Sequence, residues 1–289
     1  MPLSTFHSST NSEQHFQLGL IGYPLEHSLS PQIHTAALAA CGLQGDYSLF
    51  PIHSEDKKGL EELLAPLRSG EIHGLNITIP HKQTVIEFLD ELTPTAQAIG
   101  AVNTIYVREN KLVGDNTDAQ GFLADLRKFL IMETQSRRDL NALVLGAGGS
   151  ARAVTYALLN NNWNVTLAAR RIDQAEQLAQ SFTNYRLSIT AFTDLPLSTS
   201  RLIVNTTPLG MHPHIDQSPL PENVMLPSDG IVYDLVYNPR ETKLVRDARS
   251  KGMHATTGLG MLIEQAALSF EIWTGFNPPR DVLYASVVE

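Results

Sequence analysis

The chain has only one cysteine among its 289 residues, so no intrachain disulfide can form. Cys41 lies in the apolar stretch "TAALAACG" and reads as packing rather than as a reactive thiol. That usage fits a reducing compartment, and a cytoplasmic location is the expectation. Positive charge is also scarce: 21 Lys and Arg against 30 Asp and Glu leave a net charge of −9. A nucleic-acid binder needs a basic face to neutralise phosphates, so that class is excluded. No apolar run reaches the roughly 18 residues of a membrane-spanning helix, and no membrane partner is expected. The opening "MPLSTFHSSTNSEQHF" lacks the basic and apolar regions of a signal peptide and reads as a polar, disordered extension over residues 1–16. Internal repeats and low-complexity tracts are missing. His212, His214 and Asp216 in "MHPHID" stand in a proline-marked loop with no cluster to complete a ligand set, so no metal is expected. The G-x-S-x-G elbow of serine hydrolases is absent too.

What is present is a globular composition, 43% hydrophobic and 18% charged, at a length that allows two domains. Short apolar runs alternate with helical patterns, the mark of an α/β chain. "FQLGLIG" reads as a strand. The helix "SPQIHTAALAACG" follows, with Ser30 suited to cap it, Pro31 to its first turn and Gly42 to its stop. "DYSLFPI" and "GLNITI" are further strands around the helix "SEDKKGLEELLAPL". "AVNTIYVRENKLVGDNTD" reads as a hairpin turning near Glu109-Asn110, with a helix starting after Asp118. From residue 140 the strands become continuously apolar: "NALVLG", "WNVTLAARR", "RLIVNTTP", "GIVYDLVY" and "HATTG". Such strands imply a parallel sheet covered on both faces by helices. "GLGMLIEQAALSFEIWTGF" and "PRDVLYASVV" read as two closing helices. The expected boundary falls near residue 118, with a return after about residue 257.

Two groups of residues carry chemistry. In "VLGAGGSAR", Gly146, Gly148 and Ala151 form G-x-G-x-x-A between an apolar strand and a helix. In that context glycine lets the backbone approach a pyrophosphate, and the helix N-terminus offers free N–H groups and a positive dipole end. The next strand ends in "LAARRID", with Arg170 and Arg171 and no acid before Asp173. Arginine there suits the 2′-phosphate of NADP, whereas NAD binders place a carboxylate. The second group centres on "NITIPHK". In a strand, Asn76 and Thr78 share a face; Pro80 stops the ladder and leaves Lys82 at the strand's carboxyl end. "GDNTDAQGF" contributes Asn116, Thr117 and Asp118. A Lys–Asp pair in a cleft holds a hydroxyl and manages its proton. Spacing leaves open whether Lys82 and Asp118 meet, or are a surface lysine and a helix-capping aspartate.

Beyond these residues the chain resembles the shikimate dehydrogenases over about residues 17–289. The resemblance rests on the ordered motifs "GYPLEHSLSP", "NITIPHK", "GAVNTI", "GDNTDAQG", "LGAGGSARA", "NTTPLGM", "YDLVYNPRET" and "GLGMLIEQAA". It implies an α/β substrate-binding domain over 17–118 and 258–289 and a doubly wound, Rossmann-like NADP-binding domain over 119–257, with the C-terminal helices returning to the first domain. It implies that Ser28, Ser30 and Tyr237 hold a substrate carboxylate. Asn76, Thr78, Lys82, Asn103, Asp118 and Gln265 would surround the ring hydroxyls, with Lys82 and Asp118 as the catalytic pair. Gly146, Ala147, Gly148, Gly149, Ser150, Ala151, Ala169, Arg170, Arg171, Thr206, Thr207, Leu235, Gly258 and Met261 would hold NADP. Several positions depart from the family. Ala169-Arg170-Arg171 replaces the common Asn-Arg-Thr, and Gln174 stands where a second basic residue is expected. Ala119 also replaces the usual glycine, and His81 receives no role. The implied activity is the reversible NADPH-dependent reduction of 3-dehydroshikimate to shikimate, in chorismate and aromatic amino acid biosynthesis, by a monomer or homodimer. The alternatives are a quinate/shikimate enzyme preferring NAD, a non-catalytic ligand sensor on the same scaffold, and another Rossmann dehydrogenase.

Overall fold

A computed structural model describes residues 14–131, 140–183, 185–221, 224, 226–227 and 230–288. The first half contains β1 (His15–Gly22), α1 (Ser30–Ala40), β2 (Gln44–Pro51), α2 (Lys57–Ser69), β3 (Gly74–Ile77), β4 (Glu91–Leu92), α3 (Pro94–Ile99), β5 (Thr104–Arg108), β6 (Lys111–Asp115) and α4 (Asp118–Ile131). Its sheet runs β2-β1-β3-β5-β6-β4, parallel through β2, β1 and β3 and antiparallel through the β5–β6 hairpin. The second half contains β7 (Asn141–Leu145), α5 (Gly149–Leu159), β8 (Asn164–Ala168), α6 (Ile172–Gln180), β9 (Leu187–Thr190), β10 (Leu202–Asn205), β11 (Ile231–Asp234), α7 (Lys243–Ser250) and β12 (His254–Thr257). Its sheet is wholly parallel in the order β12-β11-β10-β7-β8-β9. The order reverses between β7 and β10, which opens a crevice at the carboxyl ends of those strands. The chain closes with α8 (Leu259–Thr274) and α9 (Arg280–Val288).

Each sheet buries apolar side chains on both faces. α1, α8 and α9 cover one face of the first sheet with Ile33, Phe270 and Leu283, while α2 covers the other with Leu60, Leu64 and Leu67. The second sheet is lined by Val144, Val154 and Leu167 on one side and by Leu143, Ile203 and Val245 on the other. The C-terminal helices therefore return to the first sheet, as expected. α8 runs beside α4. A side chain at Gly121 would meet the backbone and Cβ of Gln265 at 2.8 Å, so glycine there sets how closely the two helices approach.

The expected hairpin turns at Glu109 and Asn110, with φ of 53° and 62°, the left-handed pair that a two-residue turn of this kind requires. Gly42, with φ of 67°, follows the end of α1 as expected. Three details differ from the expectations. Residues 1–13 of the extension lie outside the described residues, but His15 and Phe16 already pair in β1, and Phe16 is buried. Ser30 is the first residue of α1 rather than its cap; the cap is Leu29, and the Ser30 N–H is held by Ser28 Oγ at 3.3 Å. β3 spans Gly74–Ile77, two residues short of the expected run, although Thr78 N–H still donates to the Ile21 carbonyl and Tyr23 N–H to the Ile79 carbonyl, both at 2.9 Å, before Pro80, which has no N–H. The sequence reading assigned no element to the short edge strands β4 and β9 or to the helix α7. β4 spans two residues, and β9 and α7 are short segments without long apolar runs.

Candidate active site

A cavity of about 430 Å³ lies between the two sheets. Its floor comes from β3 and the segment that follows, from the Asn116–Asp118 corner and from α8; its far wall is the glycine turn before α5 and the loops after β10 and β11. Lys82 Nζ sits 2.6 Å from Asp118 Oδ2, and these side chains are only 13% and 5% exposed. A charge pair so withdrawn from water keeps much more of its attraction than a surface pair does. Lys82 also reaches across the cavity. Its Nζ is 3.5 Å from Ser150 Oγ, and a Cβ on Gly149 would lie 2.9 Å from the Lys82 Cβ.

The amide orientations around this pair follow from groups that can act in only one sense. The Thr117 N–H can only donate, so the atom it meets at 2.7 Å is Asn103 Oδ1. Asn103 Nδ2 then donates to Asp118 Oδ1 at 3.0 Å and to Gln265 Oε1 at 3.1 Å. That turns the Gln265 amide the same way round, and its Nε2 donates to the Leu262 carbonyl at 2.9 Å. One buried asparagine thus fixes the acid and the glutamine together. The site offers the remaining hydrogens of Lys82 and Gln265 and the free lone pairs of Asp118 to a ligand. Ser28, Ser30, Thr78 and Tyr237 line the same cavity. Burial pushes the Tyr237 phenol up, so it remains a protonated donor, suited to an anion. From opposite walls His27 and His212 meet edge-on with ring centres 4.3 Å apart.

The opposite wall fits a dinucleotide. Gly146 has φ of 116°, and a Cβ there would strike Thr206 Oγ1 at 2.5 Å, so only glycine is accommodated. A Cβ on Gly148 would meet nothing within 4 Å, and the N-terminus of α5 has no side-chain cap. Free N–H groups over open space are what a pyrophosphate needs. Ala151 is fully buried and seats α5 on the sheet. β8 ends at buried Ala168; Ala169, also buried, follows, and then Arg170 and Arg171 are exposed. Neither guanidinium is engaged by another described residue. Asp234 braces the neighbouring loops: it accepts from Asn205 Nδ2 at 2.8 Å, from Thr242 Oγ1 at 2.6 Å and from the Val236 N–H at 3.1 Å. Burial lifts its carboxyl to about 6 despite these donors.

The structure brings all nine expected substrate residues to the cavity: Ser28, Ser30, Asn76, Thr78, Lys82, Asn103, Asp118, Tyr237 and Gln265. Of the expected nucleotide residues, Gly148, Gly149, Ser150, Thr206, Thr207, Leu235, Gly258 and Met261 line it as well. Gly146, Ala147, Ala151, Ala169, Arg170 and Arg171 do not; they lie at or beyond the carboxyl ends of β7 and β8 and in the first turn of α5. His81, beside Lys82, is 1% exposed and bonds the Ile52 carbonyl at 2.7 Å, a structural histidine. The sequence reading did not single out Tyr47, Thr104 or Ser269, which support the floor of the site. Ser269 had one available signal: it stands one helical turn beyond Gln265.

A glycine-turn crevice facing a buried Lys–Asp pair defines a two-domain dehydrogenase of the dinucleotide-binding class. The family pattern described as shikimate dehydrogenase substrate binding domain matches residues 20–105, that of shikimate/quinate 5-dehydrogenase matches residues 130–229, and that of the shikimate 5′-dehydrogenase C-terminal domain matches residues 258–288. The shikimate dehydrogenase (NADP(+)) of Carboxydothermus hydrogenoformans is 42% identical over 273 residues, covering 93% of this chain and 95% of its own. A shikimate dehydrogenase solved with NADP+ superposes with a TM-score of 0.85 at 37% identity, covering 95% of each chain. The Thermus thermophilus enzyme, solved with NADP(H) and shikimate, superposes at 0.82 and 36% identity, covering 94% of this chain and 98% of its own. The chain belongs to the shikimate dehydrogenase family.

Proposed function

We propose that this protein catalyses the reversible NADPH-dependent reduction of 3-dehydroshikimate to shikimate, a step of aromatic amino acid biosynthesis. The observation that carries the reading is the Lys82–Asp118 pair, 2.6 Å apart and shielded from water, facing the glycine turn across one cavity. Its two halves belong to a substrate domain over 17–118 and 258–289, which His15 and Phe16 join through β1, and to a nucleotide domain over 119–257, a division supported by the two separate sheets.

Bound NADPH supplies the hydride. Lys82 donates a hydrogen bond to the substrate oxygen at the reacting carbon and stabilises the charge that grows there. Asp118 keeps the ammonium in place and accepts from a neighbouring ring hydroxyl. Asn103 and Gln265 hold that geometry, so little reorganisation remains when the ligand arrives. Ser28, Ser30 and Tyr237 receive the carboxylate. Arg170, with Arg171 where relatives commonly have threonine, meets the 2′-phosphate as a charge-assisted contact. The absence of an acid before Asp173 disfavours NAD.

The test is an initial-rate panel with shikimate and quinate against NADP and NAD. Shikimate with NADP should give the highest kcat/KM of the four pairs. Quinate with NAD as the best pair would move the protein to the other branch of the family.

A further inference from the structure

The polar floor of the cavity rests on a second layer of buried side chains behind it. Asn76 lines the cavity but is only 4% exposed. Its Nδ2 donates to the Asn103 carbonyl at 3.1 Å and to Ser269 Oγ at 3.0 Å, with Thr104 Oγ1 farther off at 3.4 Å. Its Oδ1 accepts from the Tyr47 hydroxyl at 2.8 Å. A backbone carbonyl can only accept, so the amide nitrogen must be the atom facing Asn103, and the amide cannot be turned over without opposing two oxygens. Both amide hydrogens are thereby committed to the protein. What Asn76 has left for a ligand is the second lone pair of Oδ1.

The two partners are themselves held. Tyr47 is buried, and the ring of His34 stacks on it at 4.3 Å with the planes 2° apart. Burial pushes the His34 imidazole down to about 3, so this support stays uncharged, and it raises the Tyr47 phenol, which stays a donor. Ser269 is fully buried and lies within hydrogen-bond reach of Thr104 Oγ1 at 2.7 Å, Thr117 Oγ1 at 3.1 Å and the Gln265 carbonyl at 3.0 Å. Its hydroxyl thus joins three elements behind the site: β3, the hairpin and α8.

We propose that Tyr47 and Ser269 are positioning residues that lock the Asn76 amide as an acceptor only. This corner of the cavity then selects a ligand hydroxyl, which can donate, and rejects a carbonyl or ether oxygen at the same place, which would leave two acceptors opposed. The inference rests on the shikimate reading, which supplies a ligand bearing ring hydroxyls.

Tyr47→Phe and Ser269→Ala each delete one hydroxyl without adding volume, and two variants on opposite sides of the amide guard against one misfolding. Initial rates with shikimate and NADP, thermal melts and pH profiles are measured for wild type and both variants. The KM for shikimate should rise about 5- to 50-fold in each, the scale of a lost or misoriented hydrogen bond. The kcat should change by less than about 3-fold, as expected when ground-state and transition-state contacts weaken together. The KM for NADP and the pH profile should not move. An enzyme active on shikimate whose variants keep the wild-type KM for shikimate, with or without a lower Tm, overturns the proposal and leaves Tyr47 and Ser269 as ordinary core residues. A wild type without activity on shikimate overturns the reading beneath it instead, so the two failures are told apart.

Discussion

The two walls of the cavity are built on opposite plans. On the substrate side the polar atoms are already spoken for: Asn103 alone ties together Thr117, Asp118 and Gln265, and Lys82 is paired before any ligand arrives. On the nucleotide side the recognition groups are unpaired. The α5 N-terminus is uncapped, Gly148 faces open space, and Arg170 and Arg171 engage no described residue. The first wall stores its geometry in the protein and gives the ligand a few leftover donors and acceptors. The second offers free donors that only an anion completes. Orientation is thus fixed where the bond chemistry occurs, and affinity is held in reserve where charge is recognised.

The largest effect should come from breaking the preset wall. Lys82→Ala should lower kcat by about 10²–10⁴, the contribution of a positioned proton-handling group, with a much smaller change in KM. Steady-state kinetics under conditions where chemistry limits turnover check this. A variant within about 3-fold of wild type in kcat would show that the pair is only structural.

Asp234 sharpens the contrast, because it shows that the nucleotide side has a preset network one layer back. Its folded carboxyl titrates at about 6, above the roughly 4 of an unfolded chain. The folded state therefore holds its proton more tightly. This group's effect is most favourable below about pH 4, and stability is lost as pH rises from there through about 6, by about 3 kcal/mol in all. Denaturant titrations across that range should show this slope, and Asp234→Asn should flatten it. An unchanged slope in the variant would assign the pH dependence to other groups.

The smallest effect belongs to the open wall. Removing both guanidiniums, Arg170→Ala with Arg171→Ala, should weaken NADP by about 10- to 150-fold and leave NAD nearly untouched. If the two share the phosphate, each covers for the other, and the two single losses should add to less than the loss in the double variant. Dissociation constants for both cofactors decide it. A double variant that keeps the wild-type preference would place 2′-phosphate recognition elsewhere.

The contrast also explains what was legible in the sequence. The glycine turn is local: Gly146 through Ala151 act within one strand–turn–helix, so spacing and flanking pattern were enough to find them. The same holds for the Glu109-Asn110 hairpin and for the continuous apolar strands of the parallel sheet. The substrate wall is assembled from β3, the hairpin, the start of α4 and α8, which are far apart in the chain. Local pattern left open even whether Lys82 meets Asp118, and the motif resemblance had to suggest it. Ser269 was invisible for the same reason, since its partners Asn76, Thr104 and Thr117 lie far back in sequence. His81 shows the opposite hazard: beside Lys82 it looks reactive, yet it is buried against the Ile52 carbonyl. The edge strand β9 and helix α7 were missed because short segments without long apolar runs resemble loops.

The central claim is that hydride passes directly between two ligands held by these opposed walls. Shikimate carrying deuterium at the carbon that bears the oxidised hydroxyl, turned over once with NADP, tests it most directly. The account predicts that the deuterium appears in the reduced cofactor and not in water, and that Lys82→Ala slows this transfer by the factor given above. Deuterium released to solvent, or no transfer from shikimate to NADP by the wild-type protein, would contradict it.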